Sequence, residues 1–231
     1  MRIALIHALR HSPPPIAAAF REVWPEPTLM NLLDDSLSAD LARTGRLTPE
    51  MTERFLTLSR YAKSTGADAI LFTCSAFGPC IDAVVRELAP MPVLKPNEAM
   101  IEEAAALGSR IGLLATFPGT LKSMAAEFPD TVTVVPQLAD GALAALDRGD
   151  LEGHDGRAAR AALALADCDA IALAQFSLAR AAPRVALATR LPVLTTPHSA
   201  VKKLKRLLLG ETAAADVGHP REALSLSPAG T

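Results

Sequence analysis

Three cysteines are the most reactive side chains of the sequence, and only one of them follows a strand where a site is expected. Cys74 comes directly after an apolar run, and a Gly-Pro turn that opens a helix follows it closely. Backbone N–H groups at a helix start can lower the pKa of a nearby thiol, so we expect Cys74 to be an acid/base or a nucleophile. Cys80 begins that helix and Cys168 enters a strand from its other end, and we expect both to fill the core.

Polar side chains follow the other predicted strands. Loops after the strands of a parallel sheet are where ligands bind, and hydroxyl groups at a helix start can hold a carboxylate. We therefore expect these loops to supply the substrate-binding residues His11, Ser12, Ser75, Ala76, Thr116, Gly119, Thr120 and Gln175. His198 and Ser177 are candidates for a second acid/base, although His198 could equally cap or pack at the base of the last helix. His7 is also close to this edge, and we interpret it as a loop hydrogen-bonding group.

Adjacent carboxylates occur at Asp34 and Asp35, after a short predicted strand. Such a pair can bind a metal ion or exchange protons, but neighbouring residues point in different directions, and no histidine accompanies these two. We expect a loop there, followed by a helix cap at Ser38, and we predict no metal site in the chain.

Composition excludes several classes of protein. The chain has 231 residues, of which 50% are hydrophobic, and this is enough to form one large domain or two small ones. Its net charge of −2 gives no reason to expect that it binds nucleic acid. No apolar run approaches about 18 residues, and the first run is too short for a signal peptide, so we predict a cytoplasmic protein with no membrane contact. Three cysteines without CxxC spacing fit neither a disulfide framework nor a zinc site.

Short apolar runs alternate with longer amphipathic stretches along the chain, which indicates βαβ units and a parallel sheet. Gly66 and Gly108 mark helix ends, and a triple proline opens the first helix. The pattern predicts strands over 3–7, 69–73, 93–95 and 111–115 and helices over 13–23, 49–65, 81–88 and 97–107.

An internal repeat runs through the same elements. Residues 66–72 match 167–173, 91–94 match 191–194, and 2–6 match 110–114. We predict an α/β fold of two pseudo-symmetric, Rossmann-like parallel-sheet lobes with a cleft between them and Cys74 at its mouth. The first lobe would hold residues 1–97 with a returning helix in 198–231, and the second 98–197. From Ala213 onward, Ala, Gly, Pro and Ser predict a frayed end.

These motifs resemble the aspartate/glutamate/hydantoin racemase superfamily, which includes arylmalonate decarboxylases and maleate isomerases. The likeness lies in the repeat, in Phe-Thr-Cys-Ser-Ala at 72–76, in Thr-Phe-Pro-Gly-Thr at 116–120 and in Pro-Asn-Glu-Ala-Met at 96–100. The resemblance spans nearly the whole chain. It implies an enzyme without a cofactor that removes a proton or carbon dioxide next to a carboxylate, with cysteines on opposite faces of the substrate.

The sequence departs from the family at the second thiol. Residues 174–177 read Ala-Gln-Phe-Ser, where racemases usually carry Gly-Cys-Thr. A two-base racemase needs a titrating group on each face of the substrate, and Gln175 cannot titrate. A decarboxylase needs only one proton donor, so a single thiol fits that reaction better.

We therefore expect an enzyme that acts on a small carboxylic acid, an amino acid or a dicarboxylate, through a carbanion or enolate at Cys74. The alternatives are a single-cysteine decarboxylase of the arylmalonate type and a binding protein without catalysis. Motifs for dinucleotides, phosphate loops and serine hydrolases are missing. A homodimer or a higher homo-oligomer is our default expectation.

Overall fold

The first half of the chain forms a four-stranded parallel sheet in the computed structural model, which describes residues 1–210. The strands are β1 (Arg2–His7), β2 (Thr28–Leu33), β3 (Ala69–Phe72) and β4 (Val93–Leu94), in the order β2-β1-β3-β4. β3 is buried along its whole length, and β1 is buried except at Arg2, because helices cover both faces of the sheet.

The first half of the chain also contains five helices: α1 (Pro13–Val23), α2 (Ser36–Thr44), α3 (Pro49–Ser64), α4 (Gly78–Leu88) and α5 (Glu98–Leu107). Local sequence explains the start of α3, where the hydroxyl of Thr48 accepts a hydrogen bond from the N–H of Met51 and Pro49 occupies the first turn. The helix cap expected at Ser38 is wrong: α2 begins at Ser36, so Ser38 lies inside its first turn.

The second half repeats this arrangement. Its strands are β5 (Arg110–Ala115), β6 (Thr133–Leu138), β7 (Ala170–Leu173) and β8 (Val193–Thr195), in the order β6-β5-β7-β8. Its helices are α6 (Pro118–Ala125), α7 (Ala142–Asp147), α8 (Leu151–Ala162), α9 (Ala182–Thr189) and α10 (Thr196–Leu209). No helix within residues 1–210 combines the length and the apolar composition needed to cross a membrane.

Equivalent side chains close the two sheets in the same way. The carboxylate of Asp68 accepts a hydrogen bond from the backbone N–H of Arg2 at 2.7 Å, and that of Asp169 accepts one from Arg110 at 2.9 Å. Asp68 thus ties the start of β3 to the start of β1, and Asp169 ties the start of β7 to the start of β5. The predicted fold of two similar parallel-sheet lobes is confirmed.

The last helix packs against the first sheet. Ala200, Val201 and Leu204 of α10 share a buried cluster with Ile3 and Leu5 of β1. α5 instead packs on the second sheet, and α5 and α10 contact each other. The lobe boundaries near residues 97 and 198 stay a prediction, and the segment expected to fray from residue 213 lies outside the described residues.

Candidate active site

Cys74 and Gln175 occupy equivalent positions in the two lobes. Each is the second residue after the third strand of its lobe and has an extended backbone. Each precedes a 3₁₀ turn, Ser75–Phe77 in one lobe and Phe176–Ala181 in the other. The first turn contacts α6 and the second contacts α1, so each packs on the first helix of the opposite lobe. The carboxyl ends of the two sheets therefore come together, as ligand sites in parallel sheets require.

The Cys74 side chain lies against the core of the first lobe. Part of the residue is accessible, yet burial raises the pKa of its thiol and outweighs hydrogen bonds from the backbone N–H of Ala76 and the hydroxyl of Ser38, which lower it. The expectation of a lowered pKa is wrong, because the short turn after Cys74 supplies less stabilisation than burial removes. The thiol is therefore protonated near neutral pH.

Ser38 is a site residue that the sequence analysis missed. Its hydroxyl donates a hydrogen bond to the carbonyl oxygen of Ala8 at 2.6 Å, which holds it at the end of β1 beside Cys74. The start of α2 is anchored by Arg54, whose guanidinium binds Asp34 at 3.0 Å and Asp40 at 2.7 Å. Asp34 is thus half of an ion pair. No local signal in the sequence links Ser38 to a cysteine so far along the chain.

Gln175 has a defined amide orientation. The backbone N–H and the hydroxyl of Thr116 both donate to Oε1 of Gln175, at 2.6 and 2.8 Å. A backbone N–H can only donate, so the oxygen of the amide must face Thr116. Among the described residues Nε2 of Gln175 has no acceptor. Thr116, expected to bind substrate, is therefore engaged by Gln175, and the donor left for a substrate carboxylate is the amide nitrogen.

Three further candidates lie in the neighbouring loops. Ser12 is buried, and its hydroxyl points at the carbonyl oxygen of Thr73 at 3.5 Å. Thr120 is buried in the first turn of α6. At Gly119 an added Cβ would lie 2.6 Å from the ring of Phe117, so the missing side chain lets that ring fold over the start of the helix.

His7 is completely buried at the end of β1. Its Nδ1 lies 2.8 Å from the hydroxyl of Thr73 and its Nε2 lies 2.9 Å from Oδ1 of Asn31. Burial lowers the pKa of His7, and the hydrogen bond to Asn31 only partly opposes this. His7 is thus a neutral link between β1, β2 and the residue before Cys74.

The remaining candidates line two grooves, and Cys74 lines neither of them. His11, Ser177 and His198 line the first groove, of about 820 Å³, between α1 and the start of α10. His198 is held by the carboxylate of Glu22 at 2.7 Å and the hydroxyl of Thr195 at 2.8 Å, and His11 by Asp147 at 2.8 Å. Cys74 does not line this groove, and the role of His198 or Ser177 as a second acid/base stays a prediction.

Ser75 and Ala76 line the second groove, of about 600 Å³, which lies between α6 and the start of α5. It occupies in one half of the molecule the place that the first groove occupies in the other. Cys80 and Cys168 are buried, as expected of core residues. Within residues 1–210 no three His, Cys, Asp or Glu side chains are grouped to hold a metal ion.

Two parallel-sheet lobes, with a thiol and an amide at equivalent strand ends, define a two-lobed enzyme of the racemase and isomerase type. The family profile described as Asp/Glu/hydantoin racemase matches residues 5–202. The chain belongs to that family and is an enzyme of this superfamily.

Solved structures share the fold. Allantoin racemase from Klebsiella pneumoniae is 23% identical with a TM-score of 0.70, over 97% of this chain and 96% of that one. Glutamate racemase from Francisella tularensis, in complex with D-glutamate, is 15% identical with a TM-score of 0.67, over 90% and 81%. Unliganded arylmalonate decarboxylase is 18% identical with a TM-score of 0.65, over 93% and 95%. A comparison with curated proteins gave no match.

Proposed function

We propose that this enzyme acts on a small carboxylic acid through a carbanion or enolate, without a cofactor, and that Cys74 is its single thiol acid. The observation that carries the proposal is the pairing of a protonated thiol after β3 with a fixed amide at the equivalent position after β7. The thiol can exchange a proton, whereas Gln175 can bind an anion but cannot titrate.

The raised pKa of Cys74 suits proton donation. A general acid must hold its proton when the carbanion forms, and burial keeps the thiol neutral until then. After the S–H bond breaks, the N–H of Ala76 can stabilise the thiolate, and so can the hydroxyl of Ser38 once its single proton turns from the carbonyl oxygen of Ala8. The thiolate then regains a proton from solvent. In this proposal the amide nitrogen of Gln175 donates a hydrogen bond to the substrate carboxylate or to the enolate oxygen.

Decarboxylation is the second candidate, and the amide at Gln175 favours it over two-base racemisation. Loss of carbon dioxide leaves the electron pair of the broken C–C bond on the substrate carbon, so no base is needed to form the carbanion. The S–H group of Cys74 then supplies the one proton required, on one face. A fold shared with arylmalonate decarboxylase agrees with this reaction but does not select it.

The test is turnover in D₂O with three substrate panels: substituted malonates, amino acids, and maleate. A one-thiol decarboxylase releases carbon dioxide and places one deuteron in a single configuration. A racemase exchanges deuterium into an acid that keeps its carboxylates, and a cis–trans isomerase converts maleate into fumarate. We expect Cys74→Ala to lower the rate by about 10²- to 10⁴-fold, the usual contribution of a positioned acid.

Cys168→Ala is the matched control, because it removes a buried thiol at the opposite end of a strand. Turnover that survives in Cys74→Ala would refute the role of the thiol. Saturable binding of these acids with no turnover of any panel would favour the binding protein without catalysis.

A further inference from the structure

The 3₁₀ turn of the second lobe presents two hydrogen-bond donors on one face. The turn, Phe176–Ala181, carries Ser177 and Arg180 three residues apart, and side chains at that spacing in a 3₁₀ turn lie one above the other. Both residues line the first groove. The equivalent turn of the first lobe, Ser75–Phe77, has Ala76 in the place of Ser177 and contains no arginine. The two donors are therefore a feature of the first groove and not a requirement of the repeated fold.

The hydroxyl of Ser177 is free to bind. The residue is only 4% exposed, yet its side chain has no hydrogen-bond partner within residues 1–210. The side-chain polar atoms of the described chain that are both sealed from solvent and unpartnered belong to Asn97, His154 and Thr196. Oγ of Ser177 is not sealed with them, so it opens on the groove that the residue lines. A nearly buried hydroxyl without a partner is unfavourable, so a ligand that accepts its proton stabilises the site.

Arg180 adds N–H groups in a fixed orientation. Its Nε and Nη2 donate to the carboxylate of Asp155 at 2.8 and 2.9 Å, and Nδ1 of His154 holds the same carboxylate at 2.8 Å. This bidentate contact fixes the plane of the guanidinium. Nη1 has no acceptor among the described residues. Because Arg180 lines the groove, Nη1 is the donor left for an acceptor bound there.

The acids of the groove are already hydrogen-bonded. The ring of His198 lies 2.7 Å from the carboxylate of Glu22, and the hydroxyl of Ser199 donates to Glu103 at 2.6 Å. Lys202 also lines the groove, and its ammonium forms no ion pair within residues 1–210. The groups of this lining that still lack a partner are therefore donors, and one of them is a cation.

Apolar surface from both lobes completes the lining. Pro14 and Pro15 at the start of α1 belong to the first lobe, and Leu146 of α7 belongs to the second. Proline has no N–H, so the start of α1 offers apolar surface instead of donors. The imidazole of His11 lines the groove as well, and its Nε2 is held by Asp147 at 2.8 Å. A groove of about 820 Å³ with such walls has the size of a small-molecule site.

We propose that the first groove is a further small-molecule site, which binds a carboxylic acid with an apolar tail. The hydroxyl of Ser177 and Nη1 of Arg180 donate to the carboxylate, Lys202 supplies a compensating charge, and the tail packs on the apolar walls. Cys74 and Gln175 do not line this groove. The site is therefore distinct from the one proposed for the reaction and does not depend on it.

Isothermal titration of the full chain with octanoate tests the proposal, and we expect one saturable site. Octanamide has the same tail without the charge and should bind at least about tenfold more weakly, because hydrogen bonds to a charged acceptor are lost. Ser177→Ala should weaken octanoate binding by about tenfold for the same reason. Ser75→Ala removes a hydroxyl from the equivalent turn of the other lobe and should leave the affinity within about twofold.

A second pair of variants locates the site without altering a polar group. Ala18 lines the groove, so Ala18→Phe fills it and should abolish octanoate binding, whereas Ala17→Phe on the same helix does not enter the lining and should not. Circular dichroism checks that each variant folds. Equal binding of octanoate and octanamide, unchanged affinity in Ser177→Ala or Ala18→Phe, or absence of saturable binding would overturn the proposal. An acid that binds only beside Cys74 gives unchanged affinity in Ala18→Phe, so this outcome is separate from that of the proposed reaction.

Discussion

The pKa of Cys74 is set by burial and by two hydrogen bonds, one from the adjacent turn and one from a distant helix. Burial against the first core favours the neutral thiol, while the N–H of Ala76 and the hydroxyl of Ser38 favour the thiolate. A thiol in this balance holds a proton in the resting enzyme and can still release it. The contact to Ser38 is the part of this balance that a single substitution removes most cleanly.

Ser38→Ala should raise the pKa of Cys74 further, because the thiolate loses a donor and burial remains. The pH profile of iodoacetamide labelling at Cys74, followed by mass spectrometry, measures the change, and labelling at neutral pH should be slower. Ser36→Ala is the control, since Ser36 is exposed and hydrogen-bonds to Asp34 instead. A profile that is identical in the wild type and Ser38→Ala would show that Ser38 does not act on the thiol.

Local features at the residue scale were predictable from the sequence, and long-range ones were not. The positions of Cys74 and Gln175 after equivalent strands follow from apolar runs and the repeat. The contact of Ser38 with the thiol depends on how α2 packs at the end of β1, and the orientation of the Gln175 amide depends on its hydrogen bonds to Thr116. Neither is encoded in spacing along the chain.

At the scale of elements, His7 of β1 hydrogen-bonds to Asn31 of β2 and to Thr73, the residue after β3. Burial lowers its pKa from 6.5 in the folded state, so the unfolded chain binds more protons as the pH falls. This contribution to the free energy of unfolding is complete above pH 6.5 and is lost as the pH falls below it. Urea unfolding at pH 7.5 and pH 5.5 should show the loss in the wild type and a smaller one in His7→Gln. An equal loss in both would assign it to other groups.

The last helix is an element of the first lobe in its packing, and one side chain tests this. Leu204 is fully buried against β1, so Leu204→Ala should lower the free energy of unfolding by about 2–5 kcal/mol. Leu207 on the same helix is 56% exposed, and Leu207→Ala should change it by less than about 0.5 kcal/mol. Chemical denaturation of both variants gives the comparison. Similar losses would contradict the packing of α10 on the first sheet.

For the whole molecule, the repeat explains why the fold was predictable while the grooves were not. Each half contains enough local pattern to specify four parallel strands, and the matching runs specify the same topology twice. The grooves form only where the first helix of one lobe meets the fifth or tenth helix of the chain. The ring of His198 faces Glu22, a contact across two distant parts of the chain, and its role as a second acid/base stays a prediction.

Because Cys74 and residue 175 lie on different lobes, a thiol at residue 175 should change the stereochemistry of the product. Gln175→Cys places a second thiol where the N–H and hydroxyl of Thr116 can stabilise a thiolate, on the lobe opposite Cys74. With an acid on each face, the enzyme should exchange the proton of its product from both sides and release it racemic. Chiral chromatography of the product in D₂O measures this. Gln175→Ser is the control, since a hydroxyl without a base cannot exchange protons there. A product that stays in one configuration in Gln175→Cys would mean that residue 175 does not face the reacting carbon opposite Cys74.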